Sequence, residues 1–80
     1  MYITYIIYSK TADKFYIGAT NNIQDRLKKH NSNNKGFTSI ATDWELKFQR
    51  AFQTKIEATE FERKIKSWKS RKAIEKLIAS

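Results

Sequence analysis

Two short runs of aromatic and β-branched residues near the start of the chain constrain its fold more than any other feature. The first run contains Tyr5, the second contains Tyr16 and Gly18, and residues 9–13 between them have the polar character of a turn. This pattern predicts an antiparallel hairpin. If the hairpin closes around residues 10–13, Tyr5 lies opposite Gly18 and the two tyrosines share one face. Gly18 then leaves space on that face for a close approach.

A helix is predicted to follow the hairpin, from Asn22 to His30. Asn21 and Gln24 have the spacing of a helix cap, three positions apart. At about 100° per residue, Arg26 and His30 fall beside the apolar stripe of this helix. Both side chains are therefore expected to lean over the sheet.

The second half of the chain is predicted to add one strand and two helices. A polar loop at residues 31–36 and a poorly patterned connection to residue 43 lead to a third strand at residues 44–52. One face of this strand is expected to carry Trp44, Leu46, Phe48 and Arg50, with Phe52 out of register. Residues 54–57 match a capping box that opens a helix, and residues 67–71 bend the chain into a short final helix.

These elements predict one α+β domain over residues 1–80. Its small three-stranded antiparallel sheet is flanked by helices, in the order β-β-α-β-α-α. The first strand should be central, because apolar or aromatic side chains occupy both of its faces.

The composition limits the kinds of partner and cofactor. Sixteen Lys and Arg against eight Asp and Glu give a net charge of +8, which favours a polyanion, with nucleic acid ahead of an anionic membrane surface. The absence of cysteine excludes disulfides and thiolate zinc sites, and one histidine excludes multi-histidine metal clusters. The short apolar start has no basic leader, and no run has transmembrane length, so we expect a cytoplasmic protein that does not enter the membrane.

Four polar side chains are expected to converge, namely Tyr5, Tyr16, Arg26 and His30. Each has an ordinary structural explanation alone: a strand aromatic, a solvated helix cation, or a histidine favoured by a helix C-terminus. Two strands and one helix would direct all four at one patch, and convergent polar groups indicate chemistry. Glu62 flanks the buried stripe of its helix, so it can pair with Lys66 one turn later or reach inward.

The excess of basic residues is a second candidate feature. A run of charge on a helix is usually only a solvated face. Here acidic residues do not balance the run, so phosphate contact is the favoured interpretation. The predicted nucleic-acid contacts are Lys28, Lys35, Lys66, Lys69, Arg71 and Lys72.

At these positions the chain resembles the GIY-YIG nuclease superfamily. The likeness is to its small stand-alone bacterial members, which are similar to the N-terminal catalytic domain of the bacterial excision-repair nuclease subunit. The matching positions are Tyr5, the Tyr16-Ile17-Gly18 motif, Arg26, His30 and Glu62. The resemblance spans about residues 2–78, with Ile3 where the first motif has glycine.

The resemblance implies a metal-dependent endonuclease that hydrolyses DNA phosphodiester bonds in repair or in the processing of branched or single-stranded DNA. Glu62 would hold one Mg²⁺ or Mn²⁺ ion, with no other cofactor. Tyr5 would orient the attacking water or accept its proton, Arg26 would stabilise the phosphoryl charge, and Tyr16 and His30 would assist. Because free tyrosine has a pKa of about 10, activity is expected to rise toward alkaline pH, with Arg26 and the metal favouring the phenolate.

Two other functions are compatible with the same residues. One is a nucleic-acid-binding module that keeps the fold and the basic face without catalysis. The other is a protein-interaction adaptor, for which nucleic-acid binding would depend little on salt. RNA is an alternative to DNA as the polyanion, and the sequence leaves the oligomeric state open.

Overall fold

A computed structural model describes residues 1–32 and 40–80 of the chain. These residues form three strands and three helices in the predicted order, which confirms the α+β fold class. The elements are β1 (Tyr2–Ser9), β2 (Lys14–Thr20), α1 (Ile23–Asn31), β3 (Trp44–Phe52), α2 (Lys55–Trp68) and α3 (Arg71–Ala79). Most of the predicted loop at residues 31–36, and part of the connection to residue 43, lies outside the described residues.

Strands β1 and β2 form the predicted antiparallel hairpin. Tyr5 pairs with Gly18 and Ile7 pairs with Tyr16, so the two tyrosines share a face. Strand β1 also pairs with β3, and the sheet order β2-β1-β3 confirms that β1 is central. The hairpin turn contains Asp13 in the left-handed conformation, with φ 53°, which aspartate adopts more readily than most residues other than glycine.

Strand β3 contains a bulge that the sequence pattern did not predict. Its pairing with β1 shifts register at Ile6 and Ile7, which pair with Phe48 and Leu46 respectively. Lys47 is therefore an extra residue on the β3 side.

Because of this bulge, the two ends of β3 pack on different faces of the sheet. Trp44 and Leu46 join the core around Tyr5, whereas Phe48 packs on the opposite face, where Phe52 lies 5.6 Å from Phe61 of α2 between ring centres. The prediction that Trp44, Leu46 and Phe48 share a face, with Phe52 out of register, was wrong. One inserted residue reverses the alternation of all later side chains.

The helices cover both faces of the sheet. Ile23 and Leu27 of α1 pack around Tyr5 on one face. Ile65 of α2 packs with Ile6 on the other face, and α3 adds its apolar residues to the same side. Within the described ranges, no helix has the length and apolar character needed to span a bilayer.

Helix α1 begins one residue later than predicted. Its cap is Asn22, whose side chain accepts a hydrogen bond from the backbone amide of Asp25. The predicted cap pair, Asn21 and Gln24, is displaced by one position because Asn22 is an equally good cap residue.

The corner between α2 and α3 is formed as the sequence indicated. Thr54 and Glu57 make the predicted capping box at the start of α2. At its end Lys69 adopts a left-handed conformation with φ 48°, and Ser70 caps α3.

Candidate active site

Tyr5 lies in the middle of the sheet with its side chain directly over Gly18. Only 1% of its surface is exposed. A Cβ atom on residue 18 would lie 2.5 Å from the Tyr5 hydroxyl oxygen and 2.7 Å from Cζ. No larger side chain fits there unless Tyr5 moves. The close approach expected at Gly18 is therefore that of Tyr5 itself.

Tyr5, Tyr16 and His30 form one cluster of rings. The Tyr5 hydroxyl lies 2.8 Å from Nε2 of His30, within hydrogen-bonding distance. Ring centres are 4.9 Å apart for Tyr16 and His30, and 6.4 Å apart for the two tyrosines. His30 is only 7% exposed. It therefore leans from α1 over the sheet, as its position beside the apolar stripe predicted.

The surroundings push the pKa values of Tyr5 and His30 in opposite directions. Burial raises the pKa of Tyr5 well above 10.0; Tyr16 and Glu62 raise it further, and the positive charge of Arg26 opposes them. Burial, followed by the charge of Arg26, lowers the pKa of His30 from 6.5. At neutral pH Tyr5 therefore keeps its proton and His30 is uncharged. Arg26 alone does not produce the expected phenolate, because lost solvation has the larger effect.

Arg26 lies at the border between this cluster and solvent. It is exposed on α1, one turn before His30. Its charge still influences the pKa of both Tyr5 and His30. A guanidinium in this position is accessible to a phosphate group that approaches the ring cluster from solvent.

Glu62 forms the ion pair with Lys66 that its sequence position allowed, and it lies close enough to the ring cluster for its charge to act there. Its carboxylate forms an ion pair with Lys66 at 2.6 Å, and its side chain is 20% exposed. Its negative charge also contributes to the raised pKa of Tyr5, so it acts on the ring cluster. The Nζ atom of Lys66 lies 5.9 Å from the centre of the Tyr16 ring. Helix α2 thus carries this ion pair beside the tyrosines.

The donor atoms suit one divalent ion that is held jointly with substrate. Glu62 supplies one carboxylate, and residues 1–32 and 40–80 contain no group of three His, Asp or Glu side chains that could hold a metal alone. Magnesium is commonly bound through one or two carboxylates together with substrate phosphates. Asp13 is paired with Arg71, and Asp25 belongs to the cap of α1, so neither adds a second ligand.

The predicted nucleic-acid contacts occupy different parts of the surface. A groove of about 380 Å³ beside β2 is lined by three of them, Lys66, Lys69 and Arg71. Lys28 is exposed on α1, which packs on the other face of the sheet, and Lys72 is exposed on α3 outside this lining. Lys35 lies outside the described residues.

Two further residues near the site were missed in the sequence. Lys14 also lines the groove. It stands apart from the basic helical run, and only the packing of β2 against the α2–α3 corner brings it there. The buried hydroxyl of Thr4 donates a 2.7 Å hydrogen bond to the carbonyl of Ala58, 54 positions away along the chain. No local pattern signals a contact over that separation.

Comparison with known proteins identifies the family to which the chain belongs. Residues 1–76 match the family described as the GIY-YIG catalytic domain. Among solved structures, the chain is similar to the solution NMR structure of the UPF0213 protein BH0048 from Bacillus halodurans. The two chains are 29% identical with a TM-score of 0.61, and the match covers 99% of this chain and 84% of that one. A search of curated proteins gave no match. Since the family match extends over nearly the whole chain, the protein belongs to the GIY-YIG nuclease superfamily, a membership that implies a nucleic-acid substrate.

Proposed function

We propose that this protein is a metal-dependent endonuclease that hydrolyses phosphodiester bonds in DNA. The main support for this proposal is the 2.8 Å contact between the Tyr5 hydroxyl and Nε2 of His30, inside the ring cluster. Phosphodiester hydrolysis needs an activated water, an acceptor for its proton and stabilisation of phosphate charge. A pair of titratable groups whose pKa values are pushed apart is typical of an acid–base site.

In this mechanism Tyr5 and His30 act together on the attacking water. The tyrosine oxygen accepts the proton of the water while its own proton passes to Nε2 of His30. The water oxygen then bonds to phosphorus as the bond to the leaving oxygen breaks, and the leaving oxygen takes a proton from solvent. The step requires the tautomer of His30 that leaves Nε2 without a proton. No free phenolate has to form beforehand, so the raised pKa of Tyr5 does not prevent the reaction.

Arg26 and Glu62 deal with the charge on the phosphate. The exposed guanidinium of Arg26 stabilises the negative charge that develops on the phosphoryl oxygens. Glu62 would hold one Mg²⁺ or Mn²⁺ ion, which would polarise the phosphate and assist the leaving oxygen. Tyr16 packs against His30 and fixes the orientation of its ring.

The charge distribution supports DNA recognition through the phosphate backbone. The net charge is +8, and Lys and Arg contacts to phosphate carry no sequence information directly. We therefore propose recognition of DNA structure, in repair or in the processing of branched or single-stranded DNA. RNA as substrate is an alternative that the same experiment distinguishes. A cytoplasmic location stays a prediction from the sequence.

Nicking of supercoiled plasmid tests the proposal. Purified protein is incubated with Mg²⁺, Mn²⁺ or EDTA, beside the variants Tyr5→Phe and Tyr2→Phe. Tyr2 lies on the same strand and does not belong to the ring cluster, so Tyr2→Phe is the matched control. We expect metal-dependent nicking that Tyr5→Phe loses and Tyr2→Phe keeps. Binding without nicking, also absent on branched, single-stranded and RNA substrates, would favour the non-catalytic binding module instead.

A further inference from the structure

Lys66 stands between the proposed metal ligand and the basic groove. Its Nζ atom lies 2.6 Å from Oε2 of Glu62 and 5.9 Å from the centre of the Tyr16 ring. The same side chain lines the groove beside β2 and is 49% exposed. A partly exposed pair of this kind, one helical turn apart, is weak and readily exchanged.

The groove next to Lys66 has the charge needed to hold a phosphodiester. Lys14 and Lys69 line it, and neither forms an ion pair with residues 1–32 or 40–80. Arg71 is already bound to Asp13 at 2.5 Å, so its charge is largely compensated. Lys14 and Lys69 are therefore left to meet an anion, and Lys66 would join them on leaving Glu62. The groove volume of about 380 Å³ accommodates a phosphodiester with an adjoining sugar.

The position of Lys66 also creates a conflict within the proposed function. A cation on Oε2 of Glu62 would meet the ammonium of Lys66 at that oxygen, and a cation on the other oxygen of the same carboxylate would still lie close to it. Two positive charges at that distance repel each other. Departure of Lys66 from Glu62 would relieve this repulsion, and a phosphate bound in the groove would give the ammonium another anionic partner.

Resting on the function proposed above, we propose that Lys66 is a substrate-positioning residue that exchanges partners between Glu62 and a nucleic-acid phosphate. In the free protein its ammonium holds the Glu62 carboxylate. When a strand enters the groove, the ammonium turns to a phosphate beside the scissile one, and Glu62 is released to the divalent ion. The ion pair with Glu62 and the contact with phosphate are then alternative interactions of the same Lys66 ammonium.

Two binding measurements without any cleavage test this exchange on the variants Lys66→Gln, Lys66→Arg and Lys69→Gln. The first is Mn²⁺ titration without nucleic acid, followed by paramagnetic broadening of amide NMR signals around Glu62. The second is fluorescence anisotropy of a single-stranded DNA oligonucleotide in EDTA. Lys69→Gln is the matched control, because it removes the same charge from the same groove without touching Glu62.

Lys66→Gln should respond in opposite directions in the two measurements. The Mn²⁺ concentration for half-broadening should fall about threefold, since the competing ammonium is gone. Oligonucleotide binding should weaken about threefold or more, since a phosphate contact is lost. Lys69→Gln should weaken oligonucleotide binding alone, and Lys66→Arg should stay close to the wild type.

The Mn²⁺ titration separates two outcomes: a wrong partner exchange at Lys66 and a wrong metal ligand at Glu62. If Glu62→Gln removes the Mn²⁺ broadening but Lys66→Gln shifts the midpoint no more than Lys69→Gln does, the exchange is wrong and the metal site stands. If Glu62→Gln leaves the broadening unchanged, Glu62 is not the metal ligand. In that case the exchange and the proposed metal site fall together.

Discussion

Tyr5 serves the core and the proposed chemistry with different parts of one side chain. Its ring is buried against Gly18, and its hydroxyl reaches His30 at 2.8 Å. The simple interpretation as a core aromatic is therefore correct without excluding a role in catalysis. Burial raises the pKa of the tyrosine and lowers that of the histidine. The resting state therefore has the proton on Tyr5 and an uncharged imidazole beside it.

The pH dependence of cleavage should report His30. The histidine accepts a proton only when it is neutral, and its pKa lies below 6.5. The single-turnover rate should therefore rise as pH increases through this lowered pKa and then stay level to about pH 9, well below the raised pKa of Tyr5. A rate that keeps rising above pH 8 would instead support the phenolate base expected from the sequence.

Gly18→Ala should displace Tyr5 and disable the site. The added methyl group would lie 2.5 Å from the hydroxyl oxygen, and a buried ring has little room to move. We expect a loss of cleavage on the order of 100-fold and a lower free energy of unfolding by about 1–3 kcal/mol. Ala19→Ser, at the next position of β2 and on its other face, is the control for rate and for denaturant unfolding. An active Gly18→Ala variant would mean that the exact position of Tyr5 does not matter.

Local sequence rules predicted that the side chains of Tyr5 and His30 would converge. They did not predict the protonation states of these two side chains. The hairpin register placed Tyr5 opposite Gly18, and helical periodicity placed His30 beside the apolar stripe. The hydrogen bond between Tyr5 and His30 joins residues 25 positions apart and depends on how α1 packs on the sheet. Burial, which decides both pKa values, is a property of that packing. For this reason the sequence suggested a phenolate and the structure favours a tyrosine–histidine pair.

The contact between β1 and α2 fixes the proposed base relative to the proposed metal ligand. The Thr4 hydroxyl, next to Tyr5 in β1, donates to the carbonyl of Ala58. In an α-helix that carbonyl also accepts the amide hydrogen bond of the residue four positions later, which is Glu62. Thr4 therefore ties the segment that carries Tyr5 to the helical turn that carries Glu62.

Thr4→Val should weaken this tie while preserving the shape of the side chain. Loss of a buried hydrogen bond should lower the free energy of unfolding by about 1 kcal/mol, and a small shift of Glu62 should slow cleavage roughly tenfold. Thr4→Ser keeps the hydroxyl and should restore the rate, although it loses a methyl group. Equal rates for the two variants, with folding confirmed by circular dichroism, would limit the role of Thr4 to stability.

The elements themselves were predictable wherever a short motif defined them. The hairpin turn, the capping box at Thr54 and the bend at Lys69 depend on neighbouring residues, and all three are confirmed. The bulge in β3 has no such signal. Lys47 is an ordinary strand residue in sequence, and its role as the extra residue appears only in the pairing with β1. The face assigned to Phe48 was wrong for that reason.

The stability of the fold at acidic pH depends on the Asp43 carboxylate, which joins two separate segments of the chain. Asp43, just before β3, accepts hydrogen bonds from the Ser9 hydroxyl at 2.6 Å and from the amide and hydroxyl of Thr11 at 3.0 and 2.9 Å. These bonds lower the pKa of Asp43 from 3.8 to about 2. A carboxylate with a lowered pKa stabilises the fold above its unfolded pKa. This stabilisation is lost as pH falls from about 4 toward 2.

Asp43→Asn should remove the contribution of Asp43 to the pH dependence of stability. The amide lacks one of the two acceptor oxygens, so Tm at neutral pH should fall. The decline of Tm between pH 4 and pH 2 should become shallower than in the wild type. Glu45→Gln, on an exposed position of β3, serves as the control. Thermal unfolding followed by circular dichroism at several pH values makes the comparison, and parallel curves for wild type and Asp43→Asn would contradict the assignment.

The most direct test of a metal-dependent nuclease site at Glu62 compares Glu62→Gln with Glu60→Gln. Both variants remove one carboxylate from α2, but Glu60 is exposed and lines a different part of the surface, with Arg63, Lys64 and Ser67. The measurement is single-turnover cleavage of plasmid DNA in Mn²⁺, with oligonucleotide binding in EDTA as its companion. We predict that Glu62→Gln loses cleavage on the order of 100-fold or more while DNA binding is unchanged or tighter, and that Glu60→Gln resembles the wild type. Equal cleavage by the two variants would contradict a metal-dependent nuclease site at Glu62.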